Sequence, residues 1–388
     1  MKIQVDSSRM AKACSLAYKN IPGKATIPII ENLHIVADAD MLHVSSTDME
    51  TWVVYDVPAE VTFDGTANGF CINAANITNL LTSIPSQPIT IELHERKGSN
   101  PVACYAVIKH SCGTSEIPTA SADEFPTLRP IKGENRSVPV DVLRRSFQTC
   151  SFALYGDAEA KPEMASVLLD FKGSSMVAVA TDGFRLVRLE HPDIEGSPAK
   201  YLISRKPLAL LKPALEEQAK DKDAVDIVLI RKDENNVCVQ MPSATIYFRQ
   251  TERRYPNYDS VLPRKDIMNL QGVMSRNDLI AAIGRALLFS DPSSMKLIFR
   301  FDGTKEHVVV CGQCIDFSLS SEEKVRCEFT DGKLLTIAIK GTFLKEILMH
   351  MASEMVRFYF IDHTRQVLVC EENGNPDLTM MIMPMLID

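Results

Sequence analysis

Few residues in this sequence have the types and spacing that chemistry needs. Cys311-Gly312-Gln313-Cys314 has the spacing of a redox pair or of half a zinc site, but no second such pair and no histidine pair accompanies it. It also closes the apolar run Val308-Val309-Val310, so it reads as structural. Ser293 to Lys296 fits Ser-x-x-Lys without the companion motifs that would make the serine a nucleophile. There is no GxxxxGK phosphate loop, no GxGxxG after a strand and no HExxH, and the eight histidines show no ligand spacing. No metal and no cofactor are expected, and the chain reads as a non-catalytic binding protein. Two alternatives stand beside that reading: an enzyme with an unrecognised site, and a repeat scaffold that binds proteins only.

Binding is where the residues are more informative. Ala-Thr-Asp-Gly-Phe-Arg-Leu-Val-Arg (180–188) and Arg-Tyr-Pro-Asn-Tyr-Asp-Ser-Val-Leu-Pro (254–263) depart from plain strand patterning. One account makes them a hairpin turn and a linker, and Ser46-Thr47-Asp48 earlier in the chain shows the Thr-Asp pair to be partly structural. Gly183 has no counterpart there. The C-terminal Met380, Met381, Met383 and Met385 form either a core strand or an adaptable apolar surface that suits several partners.

The elements that must position these segments repeat three times. A first helix recurs with Met10, Cys14 and Ala17 matched by Leu143, Phe147 and Cys150, then by Leu279, Ile283 and Ala286, the i, i+4, i+7 spacing of one buried face. Alternating strands with turn signals follow each helix, Asp302-Gly303 being a hairpin signal. A strand then leads into a second helix: Phe70, Ile72, Ile77, Leu80 and Ile84 match Tyr201, Ile203, Leu208, Leu211 and Leu215, and then Ile337, Ile339, Leu344, Ile347 and Met351. Each copy ends near an apolar residue followed by proline, at Phe125-Pro126, Tyr255-Pro256 and Met383-Pro384. The spacing of about 130 residues is too long for a solenoid repeat, so each copy should have its own core, with two helices on an antiparallel sheet. The expectation is an α+β fold of three modules, 1–130, 131–264 and 265–388. With 388 residues, 45% of them hydrophobic, the chain can fill that many cores.

Net charge is −8, which alone argues against nucleic acid. The helices expected at 6–21, 73–85, 140–156, 204–220, 275–290 and 340–352 nevertheless carry +7 together, leaving −15 elsewhere. Lysine and arginine favour helices anyway. The same segregation in three modules, with Arg9, Lys12, Arg144, Arg145, Lys206, Lys212, Arg285 and Lys345 on the helices, also suits phosphate contact without sequence readout. The N-terminal MKIQVDSSRMAK lacks the apolar stretch of a signal peptide, no apolar run reaches membrane-span length, and the ten cysteines are scattered through apolar patterns. A cytoplasmic protein with reduced, mainly buried thiols and no membrane partner is expected.

ATDGFRL, YPNYDSVLP and the terminal MPM, in this order within a three-repeat chain, resemble the bacterial DNA sliding clamps, the beta subunits of DNA polymerase III, over essentially the whole chain. The resemblance implies a head-to-tail homodimer whose six modules form a ring around duplex DNA, sliding without sequence specificity and acting as a processivity factor. It implies an apolar pocket for short peptide motifs of the replicative polymerase, the clamp loader and repair proteins, lined by Met164, Thr181, Gly183, Phe184, Arg185, Leu186, Pro256, Val261, Met381 and Met383. Lys24 matches a position that faces DNA in the family, joining Arg9, Lys12, Arg144, Arg145 and Lys206. Leu288 and Phe289 resemble the family's apolar subunit contact, while no aromatic match stands near Cys112. Phe184 replaces the histidine of the TDGHRL form and Ser260 a position that can be basic, implying a less polar pocket.

Overall fold

The computed structural model describes residues 1–25, 27–63, 68–96, 103–220 and 225–387. Six α-helices lie among them: α1 (Ser7–Tyr18), α2 (Ala74–Ser83), α3 (Val140–Cys150), α4 (Arg205–Gln218), α5 (Arg276–Leu287) and α6 (Gly341–Met349). Each follows one strand and precedes three, so the described chain is one strand-helix-three-strand unit written six times. The helices start where expected because side chains satisfy their first free amides. Asp6 accepts from Ser8 N and Arg9 N, Asn73 from Asn76 N, and Ser275 from Asp278 N. They end sooner than expected. After α3 the chain tightens into a short 3-10 turn, Ser151–Ala153. Helix α2 stops at Ser83 because Pro85 holds Ile84 extended, at ψ 131°.

All nine matched positions of the first helices are buried. The matched positions of the second helices are also buried except Leu80 and Ile84. In the shortened α2 the core position passes to Leu81.

The described strands form two antiparallel twelve-stranded sheets, and these coincide with two compact units. The first unit holds Met1–Arg144 and Lys206–Glu252, the second Arg145–Arg205 and Arg253–Asp388. The strands of the central 131–264 segment are thus divided between the two sheets. In the first unit the strand Lys2–Asp6 pairs with both Thr51–Thr62 and Pro88–Arg96, closing its first eight strands on themselves. The central segment's strands join through Ala244–Arg249, with Tyr247 opposite Trp52. In the second unit Arg185–His191 joins the C-terminal Leu378–Ile382, with Leu186 opposite Met381. Helix α1 packs beside α2, and α5 beside α6. Gly312 lets α5 approach its sheet, since a Cβ there would stand 2.1 Å from the Ala286 carbonyl oxygen.

All ten cysteines are free, eight of them buried, and burial pushes the Cys14 and Cys150 thiols up to about 12. Cys311 and Cys314 sit an odd number of residues apart on one strand, which points them to opposite faces of the sheet. No helix among the described residues is long and apolar enough to cross a membrane.

Candidate functional site

Every residue matched to a peptide pocket lies in the second unit. Its frame is the turn between the strands Met176–Thr181 and Arg185–His191. Asp182 Oδ1 accepts from Phe184 N at 2.8 Å and Arg185 N at 2.7 Å. Thr181 Oγ1 accepts from Gly183 N at 3.1 Å and donates to the Arg185 carbonyl at 2.6 Å. Gly183 stands at φ 90°, in the left-handed region that favours glycine, and Met164 Cε would lie 3.5 Å from any Cβ placed there. The Phe184 carbonyl accepts from Met383 N at 2.8 Å, which ties the turn to the C-terminal segment.

From this turn the strand alternates. Leu186 faces an apolar cluster with Met381, Tyr258 and Met268, against which Tyr255, Leu262 and Met383 pack while staying partly accessible. Pro256 and Val261 are exposed at its edge, and Phe184 is 60% exposed. Tyr258 fixes the 254–263 segment onto the sheet by donating to Asp170 Oδ2 at 2.8 Å. Burial, reinforced by Asp170, pushes the Tyr258 hydroxyl far above its ordinary pKa.

Arg185 does something else. Its side chain is buried on the opposite face, with Nε donating to Asp182 Oδ2 at 3.0 Å, an ion pair to Glu346 of α6, and its guanidinium 4.0 Å from the Phe343 ring centre. It fastens the turn to α6 rather than lining the apolar face. Tyr255, Tyr258 and Leu262 belong to that face and went unassigned in the sequence, although all three stand within the YPNYDSVLP motif.

The basic residues divide in two. In the first unit Lys12 pairs with Glu217, Arg144 with Asp141 at 2.7 Å, and Lys206 with Asp48, so each already meets a carboxylate. Arg9, Lys24 and Arg145 are exposed, with no carboxylate partner among the described residues. Leu288 and Phe289, at the end of α5, are 76% and 36% exposed.

Family models match at both ends of the chain: the DNA polymerase III beta subunit N-terminal domain over residues 1–129 and its C-terminal domain over residues 259–386. The beta sliding clamp of Pseudomonas aeruginosa is 24% identical, covering 99% of this chain and all of the relative, and that of Synechocystis is 23% identical, covering 99% of each. Among solved structures, the sliding clamp of P. aeruginosa bound to griselimycin superposes with a TM-score of 0.89 at 22% identity. The DNA polymerase III beta subunit of Thermotoga maritima gives 0.85 at 21%, and both comparisons cover the whole of each chain. With the models spanning two-thirds of its length, the chain belongs to the DNA polymerase III beta subunit family, the beta sliding clamps, which are non-catalytic processivity factors of DNA replication.

Proposed function

We propose that the chain works as three modules, 1–130, 131–264 and 265–388, and that two copies join head to tail into a ring around duplex DNA in the cytoplasm. Partner polymerases, clamp loader and repair proteins then dock short peptides on the Leu186–Met381 face. The observation that carries the ring is an unfilled edge on the last strand of two of the six strand-helix-three-strand units. Within the chain, the last strand of the first strand-helix-three-strand unit joins that of the fourth, and the last strand of the third joins that of the sixth. The second and fifth units end in Gly113–Ser121 and Leu319–Phe329. Along Gly113–Pro118 and Leu319–Arg326 one edge of each strand has no strand partner among the described residues. Open edges invite pairing with another chain. Ile315, Phe317 and Leu319, exposed at or beside the second edge, supply apolar area as Leu288 and Phe289 do on α5.

Arg9, Lys24 and Arg145 are the first candidates for phosphate contact, because Lys12, Arg144 and Lys206 would have to leave carboxylates to reach DNA. Phe184 gives the docking face an aromatic rim in place of an imidazole, which favours apolar over acidic anchors.

Light scattering after size exclusion tests assembly. A species of twice the 43.2 kDa chain mass is expected at low micromolar concentration, and it should stay on nicked circular DNA after loading but slide off once that DNA is cut. A strict monomer, or equal retention on linear DNA, would exclude the ring and leave a protein-binding scaffold.

A further inference from the structure

The strand join in the first unit is built like the one in the second. Thr47 Oγ1 donates to the Thr51 carbonyl at 3.0 Å and accepts from Met49 N at 2.9 Å, and Asp48 Oδ1 accepts from Glu50 N and Thr51 N at 3.0 and 2.6 Å. This is the bonding of Thr181 and Asp182 position for position. Met49, at φ 78°, takes the conformation of Gly183. Trp52 then stands opposite Tyr247 as Leu186 stands opposite Met381.

The two faces are filled differently. In the second unit the following linker presses Tyr258 into the cluster. In the first, the corresponding linker past Phe125-Pro126 leaves a groove of about 730 Å³ beside Leu128 and Ile131, and a second hollow of about 360 Å³ shares Trp52, Thr127 and Leu128 with it. Trp52 and Tyr247 are only half-buried, so their rings offer apolar area to the groove. Arg129 and Lys132 line the groove from the linker, and Glu50, Asp233 and Glu234 line it from two turns. Asp233 already accepts from Lys132 N at 3.2 Å and Arg249 pairs with Glu252, while Arg129 meets no carboxylate among the described residues.

We infer that this groove is a second peptide-docking site, distinct from the Leu186–Met381 face. It takes a short extended peptide that lays an aromatic or branched apolar side chain on Trp52 and Tyr247 and sets a carboxylate against Arg129. One molecule could then hold two peptide segments, of one partner or of two. The inference extends the docking reading of the second unit but does not need it to hold.

The chain has a single tryptophan, so its emission reports this groove alone. The full-length protein is titrated with tryptophan-free, end-capped hexapeptides carrying one Phe or Leu anchor beside an aspartate, with fluorescein anisotropy reporting total binding. A saturable change in Trp52 emission is expected. It should persist in Val261→Glu, which blocks the exposed edge of the other face, and weaken about tenfold in Arg129→Glu. Flat emission to about 1 mM peptide overturns the inference. If anisotropy then saturates and is lost in Val261→Glu, the second-unit reading survives alone; if anisotropy is flat too, both fail for this peptide class. An emission change indifferent to Arg129→Glu signals adsorption and also overturns the inference.

Discussion

The two strand joins share a backbone and differ in what is laid over it. Both begin with a Thr-Asp turn whose side chains bond the same amides and carbonyl, and both place a pair of apolar residues opposite one another across the seam. In the second unit the turn is locked by a buried arginine and the face is covered by a buried tyrosine. In the first, the carboxylate of the turn is met by the half-exposed Lys206, and the linker stands off the face. Turn chemistry is therefore shared scaffold, and the two joins differ in the residue that follows it and in the linker.

The largest effect should come from breaking the lock. Arg185→Met leaves Asp182 buried without its cation and should cost the second unit about 3 kcal/mol, read by urea denaturation. Lys206→Met, its counterpart in the first unit, should cost less than about 1 kcal/mol because Lys206 is half-exposed and Asp48 keeps the amides of Glu50 and Thr51 as donors. Equal losses would refute the contrast. Next, Tyr258→Phe removes the hydroxyl that Asp170 accepts from and should cost about 2 kcal/mol while opening the linker to protease. A smaller, paired effect is expected at the turns. Gly183→Ala should lose about 1 kcal/mol and Met49→Gly should gain about as much, since both positions hold positive φ. A loss in Met49→Gly would mean that its side chain matters more than its backbone.

The weakest contrast is in pH. Burial opposes the charging of His43, but hydrogen bonds and charge from Asp56 and Asp38 outweigh it and raise its pKa. Its contribution to the first unit is full below about pH 6.5 and is lost as pH rises through the raised value. His191 in the second unit is pushed down to about 4 by burial and then by Arg145, so stability falls as pH drops from about 6.5 toward 4. Thermal melts should therefore show the His43 slope in the first unit above about pH 6.5 and the His191 slope in the second unit below it, where the half-buried His34, its pKa also lowered by burial, adds a fall in the first unit. His43→Gln and His191→Gln should each flatten one slope.

How much of this was legible in the sequence depended on range. Met10, Cys14 and Ala17 announced their buried face because a helix's period is local. The motif gives Arg185 to the pocket, and alternation with the neighbouring Leu186 sets its side chain on the other face of the strand. Met49 went unnoticed as the partner of Gly183 because the left-handed conformation only favours glycine and does not require it. The division of the central segment between two sheets had no local signal, since Thr51–Thr62 and Ala244–Arg249 meet only through long-range pairing. The ion pairs of Lys12 with Glu217 and Lys206 with Asp48 were hidden for the same reason.

The seam between Arg185–His191 and Leu378–Ile382 also has a consequence for biosynthesis. The first of these strands leaves the ribosome nearly 190 residues before the second exists. At about 5–20 residues per second, its Leu186 side would wait roughly 10–40 s for a partner. During that interval the nascent chain presents an unpaired apolar edge. Arrest at mid-length should therefore yield a species that engages chaperones, whereas release of the complete chain should end that engagement at once.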